Sequence, residues 1–124
     1  MRYLLARHRG TGRSAGTVAL NEGGPGIAWI TALAQQPQAF LTQFGAILDT
    51  HDVLLMDPRG TGGSGTQQCQ ALSITSIPAI RSQLLDAIQA CGRELGTDTR
   101  YYTSAATADD LDAVRAHLAG HRQT

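Results

Sequence analysis

Lysine is absent from the 124 residues, and all ten basic side chains are arginines. That excludes a P-loop lysine and a Schiff-base lysine together. Net charge is absent too, ten arginines standing against ten acidic residues, which leaves no electrostatic case for nucleic acid or an anionic membrane as a partner. No apolar run approaches the ~20 residues needed to cross a bilayer. Arg2, Arg7, Arg9 and Arg13 make a basic start beside His8, but no apolar stretch or small-residue cleavage site follows. The chain is therefore expected to carry no export signal of its own. Cysteine is scarce: Cys69 and Cys91 stand far apart, outside any CxxC pattern and without the His or carboxylate spacing of a zinc site. No metal and no cofactor is expected. Spacing alone leaves two readings of the pair open, buried thiols that act as small hydrophobes or one disulfide.

What is present is an ordinary globular composition, long enough for one domain with a core and too short for two. The glycines are many and clustered, which marks turns where the backbone must do something special. Tyr3 to His8 reads as a strand and Thr17 to Leu20 as a second, with a turn-rich stretch between them. Phe40, Leu41, Phe44, Ile47 and Leu48 form a stripe that predicts a helix from Pro37 to Leu48. Asp52-Val-Leu-Leu-Met-Asp57 is apolar without alternation, the pattern of a strand buried on both faces of a parallel sheet. A second helix is predicted from Ile80 to Leu95, with Leu84, Leu85, Ile88 and Cys91 inward and Gly96 as its stop. A third runs from Ala108 to Ala119, capped by Thr107, with Asp109 and Asp110 on its positive end and Leu111, Val114 and Leu118 buried. This order predicts a mostly parallel α/β sheet flanked by helices. Such a sheet calls for a further strand to receive the last helix, so the sequence reads as interrupted.

Three glycine motifs compete for a functional reading. Gly12-Arg-Ser-Ala-Gly16 matches GxSxG, but a nucleophile elbow needs a strand before it and a helix after it. Ser14 stands between a loop and a strand, which favours a turn. Gly60-Thr-Gly-Gly-Ser-Gly65 matches GxGxxG and follows a strand, yet Asp57-Pro-Arg59 intervenes and no apolar helical stripe follows, against dinucleotide binding. Gly23-Gly-Pro-Gly26 follows the strand ending at Leu20. Such glycines let backbone N–H groups face a developing oxyanion, or simply make a tight turn.

Together, Gly23-Gly-Pro-Gly26 after one strand and Asp57-Pro-Arg-Gly-Thr-Gly-Gly-Ser-Gly65 after the next resemble the proline iminopeptidase and tripeptidyl aminopeptidase branch of the α/β-hydrolases. Tyr101-Tyr-Thr-Ser104 with Thr107-Ala-Asp-Asp-Leu-Asp-Ala-Val-Arg115 is similar to the helix before that family's nucleophile strand. The resemblance covers nearly all of residues 1–124. It implies the N-terminal part of an α/β-hydrolase domain that ends before the nucleophile strand and elbow. It further implies an oxyanion donor at Gly24 with Gly23 beside it, and a structural turn at Asp57, Arg59 and Gly60. A Cys69–Cys91 disulfide, as in secreted relatives, and an extracytoplasmic location follow from the same resemblance. Glu22 stands where the iminopeptidases have His and is expected to face away or to bind a cationic group. His8, His51, His117 and His121 precede the family's nucleophile and read as surface or loop residues. The implied activity is release of N-terminal residues or short peptides from a peptide substrate through an acyl-enzyme, with this segment inactive alone. The alternative is a non-catalytic α/β module that binds a partner through an open sheet edge.

Overall fold

The computed structural model describes residues 1–21, 26–72 and 81–120. Strands β1 (Arg2–Ala6), β2 (Thr17–Leu20) and β3 (Asp52–Asp57) form a sheet in the order β1-β3-β2. Helices α1 (Trp29–Gln35) and α2 (Pro37–Phe44) link β2 to β3, while α3 (Arg81–Leu95) and α4 (Ser104–Gly120) follow it.

All six residues of β3 are buried, because it lies between two strands and two helical layers. Val53 and Leu55 face one layer, where they meet Ile30, Leu33 and Phe40 of α1 and α2 and Leu48 of the turn beyond. Leu54 and Met56 face the other, against Leu111, Val114 and Leu118 of α4. The unbroken apolar run of β3 thus follows from period-2 alternation with both faces covered. The apolar face of α4 packs on β3, with Val114 buried and Leu111 and Leu118 partly buried.

The predicted mostly parallel sheet is corrected: the three strands make a small mixed sheet, helices outnumber strands, and the fold is not a parallel-dominated α/β-hydrolase sheet. β2 runs parallel to β3, with Thr17 opposite Asp52 and Leu20 opposite Leu55. β1 runs antiparallel to it, with Arg2 opposite Asp57 and Ala6 opposite Val53. The reason lies in the connections. A parallel pairing needs a crossover of a dozen or more residues, usually helical, and α1 and α2 supply one between β2 and β3. The link from β1 to β2 contains no helix. It passes beneath the start of β3 and delivers β2 on the far side, pointing the opposite way to β1.

Four local expectations also change. Helix α1 was not predicted, and its reason is tertiary: no side chain within the segment caps it, and the Ile30 N–H is taken by Asp57. The helix from Pro37 gives way after Phe44 to a 3-10 turn, Gly45–Asp49, where the Arg9 guanidinium draws off the Gly45 carbonyl at 2.7 Å. Helix α4 begins at Ser104 rather than Ala108. Thr103, not Thr107, caps it, its Oγ1 accepting the Ala106 N–H at 3.1 Å. In α3, Leu84 and Cys91 are half-buried as inward residues should be, but Leu85 and Ile88 are 50% and 48% exposed.

Candidate functional site

The carboxyl ends of β2 and β3 lie side by side, because the two strands are parallel. In open α/β sheets that edge is where ligands bind. A cleft of about 750 Å³ opens there, with Leu20, Asn21, Trp29, Met56, Arg59 and Tyr102 among its walls.

Its floor is organised by Asp57, the last residue of β3 and fully buried. One carboxylate oxygen accepts the Ile30 N–H at 2.9 Å and so caps α1 from 27 residues away. The other accepts the Gly63 N–H at 3.1 Å, with the Arg2 guanidinium 3.9 Å off. A buried carboxylate is tolerated only when its oxygens are met by donors, and here backbone amides supply most of them. The Ser64 hydroxyl donates to the Asp57 carbonyl at 2.6 Å and accepts the Arg2 N–H at 2.8 Å. The turn is closed further by the Thr61 N–H and hydroxyl, both donating to the Pro58 carbonyl.

Two glycines in this turn are required by space as well as by conformation. Gly60 has φ +82°, and a Cβ there would lie 2.8 Å from the Tyr102 ring. Gly62 has φ +43°, and a Cβ would lie 2.6 Å from that of Ala28 and 2.7 Å from an Asp57 carboxylate oxygen. The glycines therefore allow close approach of this turn to Tyr102, Ala28 and Asp57.

Arg59 turns away from the floor to α4. Its guanidinium makes a two-pronged contact with Asp110, both bonds at 2.7 Å, and donates to the Tyr101 carbonyl at 2.9 Å. Asp110 therefore does not serve the helix dipole at the start of α4. The hydrogen bond to Asp110 raises the Arg59 pKa above its ordinary value; desolvation opposes this, and the negative charges of Asp110 and Asp109 add to it. A raised cation pKa contributes stability that is complete below the ordinary arginine range and fades only above it, so this contact holds at every physiological pH. Beyond the turn, the Gln67 N–H donates to the Gly60 carbonyl, and its side-chain amide donates to the Tyr102 hydroxyl. Cys69 and Cys91 are joined in a disulfide, their Cα atoms 5.4 Å apart.

Gly23, Gly24 and Glu22, the oxyanion candidates and their neighbour, lie outside the described residues, as does His121. Arg59 lines the cleft, and Asp57 and Gly60 belong to the turn that borders it. Ser14 is elsewhere, at the opposite end of the sheet. Its hydroxyl donates to the Gly16 carbonyl at 2.7 Å and accepts the Asp52 N–H at 3.2 Å, the bonding of a turn residue.

His8, read from sequence as a surface or loop residue, lies in the loop after β1 and is half-buried. Its Nδ1 lies 3.3 Å from the buried Asp52 carboxylate and its Nε2 3.0 Å from the Gly12 carbonyl. Among the described residues, no cluster of three His, Cys, Asp or Glu side chains could hold a metal. Nor does any described helix have the length and apolarity to cross a membrane. Trp29 and Tyr102 were missed as cleft residues because only the fold places them beside β3. Comparison with protein-family models, curated proteins and solved structures finds no match.

Proposed function

We propose that this chain is part of a serine hydrolase that releases N-terminal residues or short peptides from a peptide substrate, and that it contributes the oxyanion side of the site. The observation that carries this reading is the Asp57 carboxylate. It joins the turn after β3 to the helix that follows the Gly23–Gly26 segment, at the edge of a cleft large enough for a peptide end. Backbone N–H groups held rigidly beside such a cleft are the usual means of stabilising a developing oxyanion. The nucleophile belongs to residues beyond this segment, and the segment alone has no turnover. Ser14 and Ser64 both have hydroxyls already engaged by backbone partners, in keeping with that. The Cys69–Cys91 bridge favours an oxidising, extracytoplasmic setting.

Sequencing the DNA on both sides of the reading frame tests the proposal. An apolar strand followed by GxSxG just downstream, in frame or one shift away, is the expected result. Its absence overturns the reading, as would stoichiometric labelling of Ser14 or Ser64 in the purified chain by a fluorophosphonate.

A second reading, a binding module without chemistry, is favoured by a different observation. Among the described residues β2 pairs on one side only, and a groove of about 460 Å³ lies beside it, walled by Ala19, Leu54, Leu111 and Leu118. A strand edge next to an apolar groove is suited to accepting a partner's strand. A cooperative thermal melt together with a discrete oligomer or heterocomplex by light scattering would support it, and a monomer or an aggregate would not.

A further inference from the structure

Helix α3 is attached to the molecule differently from the other helices. Among the described residues, none of α3 belongs to either core cluster, to which α1, α2 and α4 all contribute, and it packs chiefly on the 3-10 turns Gln70–Leu72 and Gly96–Tyr101. Leu85 and Ile88 remain about half exposed. Its firm connection is covalent, from half-buried Cys91 to half-buried Cys69. Cys69 lies on the segment that leaves the cleft floor, two residues beyond Gln67, which is hydrogen-bonded to Gly60. Gly96, directly after α3 and five residues beyond Cys91, has φ +57°, a conformation that favours glycine. Past Gly96 the chain is held again, by Arg59 on the Tyr101 carbonyl and by Gln67 on the Tyr102 hydroxyl. Leu95, the last residue of α3, forms part of the cleft wall.

We propose that the Cys69–Cys91 bridge, more than packing, holds α3 in place, and that reduction by a dithiol loosens the helix while the three-layer core stays folded. In the exchange, a reductant thiolate attacks one sulfur of the bridge, the S–S bond breaks and a mixed disulfide forms. The second thiol of the reductant then displaces it, leaving Cys69 and Cys91 as two thiols and the reductant as a disulfide. This role of the bridge does not depend on what chemistry the cleft supports.

Hydrogen exchange of the whole chain, read by mass spectrometry with and without dithiothreitol, tests the proposal. Amides of 81–95 should exchange on the order of tenfold faster or more after reduction, while those of 53–56 and 111–118 keep their rates. A Cys69→Ser/Cys91→Ser variant without reductant should exchange as the reduced protein does. If α3 stays as protected after reduction as before, or if the variant matches the oxidised protein, packing holds the helix and the proposal is refuted. A simultaneous loss of protection in β3 and α4 refutes it too, because the bridge would then stabilise the whole fold.

Discussion

Strand β3 begins and ends with a buried aspartate, and the two are anchored by different means. Asp52 collects side chains from the β1–β2 connection. Arg7 lies 3.6 Å from its carboxylate, the His8 ring 3.3 Å, and the His8 N–H donates to it at 2.9 Å. Asp57 instead collects backbone N–H groups from α1 and from the glycine turn, with one guanidinium at 3.9 Å. Long cationic side chains fill the space around the first aspartate, and the chain closes over it, with Arg9 clamped to Asp49 and Gly45. Backbone donors occupy little space, so the second aspartate is satisfied while the edge above it stays open as the cleft. One end of the sheet is closed by side chains, and the other is shaped by main chain.

Four substitutions would break or sharpen this contrast, read by denaturant unfolding and by the emission of Trp29, which lies in the cleft wall and is the single tryptophan. Asp57→Ala should cost the most, about 3 kcal/mol or more, because the buried Ile30 amide loses its partner and the glycine turn loses its anchor. It should also move the Trp29 emission, since α1 loses its cap. Asp52→Ala should cost about 2 kcal/mol and leave Trp29 unmoved, because the long Arg7 side chain can turn to solvent. Gly62→Ala should cost roughly 2 kcal/mol through its positive φ and its contact with Ala28, and it should shift Trp29 as Asp57→Ala does. Ser14→Ala is the mildest, about 1 kcal/mol from its turn hydrogen bonds to Gly16 and Asp52, with no change at Trp29. If Asp52→Ala disturbed Trp29 as much as Asp57→Ala, the two ends would not be independent and the contrast would fail.

The same contrast explains what could be read in advance. β2 and β3 occupy the residues their composition indicated, since an apolar run between charged or glycine-rich flanks is a local signal. The buried face of α4, Leu111, Val114 and Leu118, was legible from its helical spacing. The start of that helix was not. Asp109 and Asp110 resemble first-turn acids, but Asp110 is taken by Arg59 from 51 residues away. Helix α1 was invisible because its cap is Asp57, and the partial burial of His8 was not legible because its partners are Asp52 and a loop carbonyl. In each miss a distant polar group does what a neighbour in sequence usually does. Cleft residues Trp29 and Tyr102 had no sequence signal, since nothing local marks a residue as facing the end of a distant strand.

By itself, then, the sequence determined the central strand, the period of the helix packed on it and the turns where only glycine fits, because these depend on residue type and short-range sterics. The tertiary structure alone decided that the sheet is mixed, that Asp57 ties the glycine turn to α1, and that α3 rests on a bridge rather than on the core. Those outcomes depend on where connections of different length deliver the strands, and on which buried carboxylate reaches which donor, properties that no window of neighbouring residues contains.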